Sequence, residues 1–311
     1  MNILVTGLSG DIGNAVGRIL SESNICSTLL GCDVHEEHGG RQVFDDCFVV
    51  PKAEDPNYIP SLRKLVDQNT IGVIIPSSEP EQRFLLSQNM LQKIGSAKLL
   101  LANRQSMEIG FDKLATTRFL EKENLPHPWT FEVSKRKPKS LPCILKSRAG
   151  QGSKDVIVVS RESDVNAYQN LRPKAIWQEL VGNDSSEYTC GVYRSVTGEI
   201  RVISFRRRLA NGHTMYGELV DNENIKNLCQ VVATRLNLVG SINLQLRLVD
   251  DVPIVFEINP RFSSTVMVRH LMGFQDVIWS IQELLFGSLP KYESKYEEGT
   301  VFYRDTVEVI I

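Results

Sequence analysis

The stretch Ile254-Val255-Phe256-Glu257-Ile258-Asn259-Pro260-Arg261-Phe262-Ser263 brings a carboxylate, an amide and a guanidinium close together in the chain. Its apolar run predicts a strand, on which alternation sends Glu257 and Asn259 to one face and Phe256 and Ile258 to the other. A carboxylate oxygen beside an amide oxygen suits Mg²⁺, which takes hard oxygen donors and fills the rest of its octahedron with water and phosphate. Arg261, further along the same edge, is placed to neutralise charge on a phosphoryl group in transit. On the preceding predicted strand Asn243 and Gln245 follow the same alternation and could complete the metal site from next door. The bland alternative is a polar strand edge.

Other segments bear on the same chemistry. Residues 143–153 read as a buried strand ending in Lys146, followed by a loop containing Gly150 and Gly152. Such a loop can close over phosphates because glycine lets backbone N–H groups approach an anion, with Lys146 as a fixed cation beneath it; a plain hairpin turn is the alternative. Gln178, Glu179, Leu180 and Val181 run from a strand into a linker that could present backbone groups to an adenine edge, with Glu187 beyond it near ribose. Gly7-x-x-Gly10-x-x-Gly13 follows a strand and opens a helix, and Asp33 ends the second strand. A dinucleotide-binding reductase or epimerase is a second reading of that pair, although no Tyr-x-x-x-Lys accompanies it. Capping a turn is an equal reading of Asp33. Arg206 or Arg208 could face an anionic substrate, and Glu79, just after the predicted strand 71–76, could touch one too. His35-Glu36-Glu37-His38 lacks zinc-type spacing and reads as a polar loop.

These groups need rigid elements to hold them, and the chain has the length for more than one unit. It has 311 residues, 42% hydrophobic and 23% charged, as expected of a folded globular protein rather than a disordered or fibrous one. A net charge of −2 argues against a nucleic-acid partner or an anionic membrane surface. The six cysteines form no Cys-x-x-Cys pair, and no apolar run approaches the roughly 18–20 residues of a membrane span. The expectation is a cytoplasmic protein with reduced thiols and no membrane contact. Residues 1–103 alternate short apolar strands with amphipathic helices, the rhythm of a parallel sheet that binds ligands at its carboxyl ends. Beyond them a helix opens at Asp112, and strand candidates follow at 143–146, 155–159, 175–180, 187–193, 200–206, 241–247 and 254–258. Helices are expected near 224–236 and 264–286.

Taken in order and spacing, these elements resemble the ATP-grasp superfamily, and most closely the synthetase halves of carbamoyl phosphate synthase large subunits and their stand-alone carboxylate–amine ligase relatives. The resemblance implies a Rossmann-like (pre-ATP-grasp) domain over 1–103, in a fold mixing α/β and α+β. A two-part ATP-grasp domain over 104–311 would follow, with a lid at about 128–181 and an α+β part at about 182–311. It implies that Lys113 and Lys146 contact ATP phosphates, that Gly150 and Gly152 lie in the flap, and that Glu179 and Val181 pair with adenine. Glu187 would bind ribose and His213 would pass near the phosphates. Gln245, Glu257 and Asn259 would hold one or two Mg²⁺ ions, or Mn²⁺ in their place, and Arg261 would steady the phosphoryl group.

The carbamoyl phosphate enzymes carry arginine where Lys113 and Lys146 stand and a second arginine where this chain has Ser264, which favours the broader ligase group. The implied activity joins a small-molecule carboxylate to an amine through an acylphosphate; a nucleotide sensor without chemistry is the rival. A homodimer is compatible with either.

Overall fold

A computed structural model of the chain describes residues 1–150, 155–210, 212–292 and 294–305; Gly152 and the His213 side chain lie outside that description. The elements form three sheets. The first takes β1 (Asn2–Thr6), α1 (Asp11–Ser21), β2 (Thr28–Asp33), β3 (Asp46–Val49), α2 (Tyr58–Asn69), β4 (Ile71–Ile75), α3 (Glu79–Ser87), β5 (Lys93–Ile94) and β6 (Ala97–Leu99). Strand order is β3-β2-β1-β4-β6-β5, parallel except for the β5–β6 hairpin, which is a Rossmann-like sheet. Alternate residues of β1 enter different cores. Ile3 and Val5 pack under α1, and Leu4 under α2, which is why the strand is apolar throughout.

The glycine motif is accounted for here by packing. Gly7 has φ +63, and a Cβ at Gly13 would stand 2.1 Å from the Gly7 carbonyl oxygen, so α1 can meet β1 only with glycine at both places. Asp33 accepts hydrogen bonds from the Ser9 amide (3.0 Å) and hydroxyl (2.7 Å) and from the His35 amide. Of the two readings of Asp33, the turn cap is the one its contacts fill.

Helices α4 (Arg104–Gly110) and α5 (Lys113–Lys122) lead to the second sheet. It contains β7 (Thr130–Glu132), β8 (Cys143–Ser147), β9 (Ile157–Val159) and β10 (Ala175–Glu179) in the order β7-β10-β8-β9, with α6 (Glu162–Leu171) before β10. Leu145 and Trp177 are paired across the sheet and share a small core with Val165 of α6. Alternation therefore turns their neighbours Lys146 and Ile176, also paired, to the opposite face.

The third sheet is antiparallel. It contains β11 (Glu187–Arg194), β12 (Ile200–Ala210), β13 (His213–Val220), α7 (Glu223–Arg235), β14 (Gly240–Val249), β15 (Val252–Asn259), α8 (Val266–Leu271), α9 (Asp276–Phe286) and β16 (Val301–Tyr303). Its order is β15-β14-β11-β12-β13-β16. The Asn222 side chain caps α7 by accepting from the Ile225 amide, and Ile225, Leu228, Cys229 and Val232 fall on one helical face. They bury against Leu244, Leu246 and Ile258, each such side chain contributing about 1.5–3 kcal/mol. The second face of the sheet keeps a polar row.

Three expectations change. The stretch 264–286 is two helices, broken where Gly273 takes φ 94. The strand expected over 200–206 continues to Ala210 as β12, so Arg206, Arg207 and Arg208 lie inside it. Strand β13, absent from the sequence reading, follows it as a hairpin partner.

Arg269 on α8 is fully buried against Gly191, where a Cβ would meet its side chain at 2.5 Å. It pairs with Asp276 at 2.9 Å, and Asp276 also accepts from the Ser241 hydroxyl. Arg269→Ala leaves a buried carboxylate uncompensated, and urea unfolding is expected to show a loss of about 3–5 kcal/mol. Replacing both partners by apolar residues of similar volume should restore most of it. Among the described residues no helix is long and apolar enough to cross a membrane.

Candidate active site

The polar row lies on β11, β14 and β15. Register sets Thr189, Gln245 and Glu257 side by side across the three strands, and Gly191, Asn243 and Asn259 in the next rank. All of these point away from the α7 core because Leu244, Leu246 and Ile258 point into it. The Thr189 hydroxyl donates to the Asn243 side-chain oxygen at 3.0 Å, which leaves Gln245, Glu257 and Asn259 as the oxygen donors of the row.

Phe256 departs from the expected alternation. The ladder shifts so that Gln245 opposes Glu257 while Leu246 opposes Val255, which makes Phe256 the extra residue of a β-bulge. Its ring lies 5.6 Å from the Lys146 ammonium, and so forms part of the cleft and not of the core.

Lys146 comes from β8 and Lys113 from the first turn of α5, whose N-cap Asp112 accepts from the Leu114 and Ala115 amides. Asp112 also grips Arg148 through two hydrogen bonds, of 2.8 and 2.5 Å, fixing the start of the loop after β8 to α5. Lys113 spans the gap: its ammonium is 3.1 Å from Glu257 and donates to the Gly150 carbonyl at 2.8 Å. Gly150 itself has φ 110, a conformation that favours glycine.

Burial pushes the Glu257 pKa up, but Lys113 and Lys146 outweigh it and hold the carboxyl below its ordinary value. Burial lowers the Lys146 pKa to about 8; Glu257 opposes the shift and Lys113 adds to it. Glu187 and Arg247 also act on Lys146, with opposite signs. If Lys146 holds a nucleotide phosphate, as the resemblance implies, only its cation does so, and ADP affinity should be constant below pH 8. Above it the affinity should fall roughly tenfold per pH unit as the proton is lost, until the raised pKa of the bound state is reached. Calorimetric titration across pH 6.5–10 checks this, and Lys146→Arg should flatten the basic limb.

Glu187, expected beside ribose, is engaged by two arginines. One oxygen accepts from Arg207 at 3.1 and 2.7 Å, the other from Arg247 at 3.1 and 2.9 Å. Arg247 also donates to the Val181 carbonyl at 3.0 Å, tying the linker after β10 to the sheet. A ribose reaching Glu187 would share a carboxylate already neutralised by two guanidinium groups. Arg207 and Arg247 were missed in the sequence. Period-two alternation from Gln245 would have found Arg247; nothing local distinguishes Arg207 from its neighbours. Those neighbours turn away: Arg206 pairs with Glu218, and Arg208 stacks 4.8 Å from the Tyr216 ring.

Where β10 runs into the linker, Glu179 accepts from the Trp129 amide through its side chain at 3.1 Å, while Leu180 and Val181 are half-buried. Gln178 donates its side-chain N–H to the Thr130 hydroxyl at 3.1 Å, and its backbone pairs with both neighbouring strands. His213 begins β13 and pairs through its backbone register with Ala210. Arg261 follows β15. It donates to the Phe262 carbonyl at 3.0 Å and lies 3.7 Å from Glu79, which Arg83 grips at 2.7 Å. Glu79 is thus buried between two arginines, a support for Arg261 and not an exposed substrate contact. Among the described residues no group of three or more His, Cys, Asp or Glu could hold a metal, His35 and His38 included. The donor set at Glu257 fits a hard divalent cation that shares its coordination with phosphate oxygens, and does not fit zinc.

Residues 111–265 match the ATP-grasp domain family. No curated protein matches the sequence. Among solved structures, the chain resembles N5-carboxyaminoimidazole synthetase from Staphylococcus aureus complexed with ADP, with a TM-score of 0.74 at 16% identity over 94% of this chain and 79% of that one. It also resembles biotin carboxylase from Campylobacter jejuni in a β,γ-ATP complex, with a TM-score of 0.72 at 13% identity over 94% and 73%. A third likeness is to the L-amino acid ligase from Bacillus licheniformis, with a TM-score of 0.68 at 16% identity over 92% and 74%. At these identities the likeness is one of fold.

Proposed function

This chain carries an ATP-grasp domain over residues 111–265, and on that premise we propose that it is an ATP-dependent ligase joining a small-molecule carboxylate to an amine. The observation that carries the reading is the convergence of Lys113, Lys146 and Glu257, drawn from three separate elements, on one cleft. In this reading residues 1–103 form one unit and 104–311 the second, with the second sheet closing over nucleotide bound against the third. The linker of Glu179, Leu180 and Val181 receives adenine through its backbone, and Lys113, Lys146 and the Gly150 loop hold the phosphates.

A carboxylate oxygen of the substrate attacks the γ-phosphorus as the bond to the β-phosphate bridging oxygen breaks, giving an acylphosphate and ADP. The amine nitrogen then attacks the acyl carbon, phosphate leaves, and the nitrogen gives up a proton. Glu257, Asn259 and Gln245 are the residues that would hold Mg²⁺, whose chemistry when bound is to neutralise phosphate charge. Lys146 and Arg261 offset the repulsion between the two anions brought together, and closure of the lid excludes water.

The test is ADP release from ATP and Mg²⁺ with a pool of carboxylic acids and amines, against either pool alone. Release that requires both pools supports the ligase. Tight ADP binding with no release under any pool would support the sensor instead, and preference for a nicotinamide nucleotide the reductase.

A further inference from the structure

Beyond Arg261, away from Glu257, a cavity of ≈ 270 Å³ opens between the carboxyl ends of β4 and β6, the start of β14 and helix α9. Leu100, Val239, Phe262 and Leu284 give it apolar walls. Apart from Arg261 at one end, the side-chain donors in its wall are spent within the protein, and the polar groups left over are acceptors. Gln82 is 3% exposed, and its side-chain nitrogen donates to the Pro76 carbonyl at 2.7 Å, which fixes the amide orientation. The Gln82 side-chain oxygen has no hydrogen-bond partner among the described residues. A buried acceptor left without a donor is costly, about 1–3 kcal/mol, and marks a place where a ligand N–H belongs. Glu283 adds a carboxylate held in place by the Tyr193 hydroxyl at 2.8 Å and the Val196 amide at 2.9 Å. Ser241 and Ser280, also in the wall, both donate away from the cavity, to the side chain and the backbone oxygen of Asp276.

The geometry points to this cavity as the site of the amine substrate, and to a small primary amine with a short apolar side chain as its class. Arg261 could meet an anionic group only at its own end of the cavity; beside Glu283 and the Gln82 oxygen an anion finds no donor, whereas an amine supplies the missing N–H to Gln82 and a positive charge to Glu283. The volume lies just under the roughly 300–1,000 Å³ of drug-sized pockets, which suits a molecule of amino-acid size. Arg261 lines the cavity at one end and reaches toward the row of Asn259 and Glu257 at the other, so an amine bound here borders the place where the acylphosphate would form. This assignment rests on the ligase reading for its purpose, though not for its chemistry of recognition.

Titration calorimetry with two shape-matched probes tests it: L-leucinamide, which has the amine and no carboxylate, and 4-methylpentanoate, which has the carboxylate and no amine. ADP is titrated in parallel. Leucinamide should bind the wild-type protein, and its Kd should rise at least tenfold in Gln82→Met and in the cavity-filling Leu100→Trp, while ADP affinity stays within twofold. The pentanoate should not bind. Leucinamide binding that is absent, or unchanged in both variants, or weaker than pentanoate binding, overturns the amine assignment while ADP binding leaves the ligase reading standing. Failure of the wild-type protein to bind ADP overturns the ligase reading and the amine assignment with it.

Discussion

Glu257→Gln is expected to lower metal-dependent ADP release by about 10²–10³-fold, the scale seen when one preorganised electrostatic contact to a phosphoryl or acyl transition state is removed. The side chain keeps its volume and its place in the row with Gln245 and Thr189, but Lys113 and Lys146 lose their anion, so the thermal unfolding midpoint of the nucleotide-free protein should fall and ADP should restore it. The diagnostic part is a change of opposite sign. Glu257 is the anion that Lys113 contacts at 3.1 Å and that offsets the charge of Lys146. Once it is neutral the Lys146 pKa falls further, since Glu257 opposed its lowering, and at a pH low enough to keep both lysines protonated they face the phosphates uncompensated. ADP affinity measured in a chelator should therefore be unchanged or tighter in Glu257→Gln, while Mg²⁺ no longer improves it. Calorimetry with and without Mg²⁺, set beside steady-state ADP release, reads both effects. A parallel loss of chelator-insensitive ADP binding would mean that Glu257 maintains the structure and does not serve the metal.

How much of this could be read in the sequence follows from how local each determinant is. Glu257, Asn259 and Gln245 were legible because alternation along a strand is a rule of near neighbours, and the two strands that carry them are adjacent in the chain. The same rule failed at Phe256, since a bulge depends on how two strands register and no residue type announces it. Glu187 was legible as a polar residue opening a strand, but its partners come from β12 on one side and β14 on the other. Without the strand order, the arginines could not be told from solvated ones. Gly7, Gly10 and Gly13 show the converse. The motif was visible and its nucleotide reading plausible, yet the 2.1 Å approach at Gly13 gives a sufficient structural reason for glycine. Strand β13 was hidden because His213-Thr214-Met215-Tyr216-Gly217-Glu218 alternates weakly and contains a glycine, beside which the Phe302 ring of β16 packs.

Arg261→Lys tests whether the guanidinium does more than supply charge. Arg261 is held by the Phe262 carbonyl and by the buried Glu79, which reaches it from α3, so its fork is oriented from two separate elements at once. A lysine keeps the positive charge but cannot make parallel contacts to a planar or tetrahedral anion, and its flexible stem is not positioned by Glu79 in the same way. The expected result is a fall in kcat of about 10³-fold, or about 4 kcal/mol of transition-state stabilisation, with the KM for ATP within a few-fold of wild type. Nucleotide affinity should survive because Lys113, Lys146 and the linker of Glu179 and Val181 lie on other elements. Glu79→Gln should produce a smaller loss of the same kind, in kcat and not in KM, because it loosens Arg261 without removing it. If Arg261→Lys instead raised the KM for ATP and left kcat intact, the residue would belong to ground-state nucleotide binding, and the placement of phosphoryl transfer between Asn259 and the cavity beyond Arg261 would have to be abandoned.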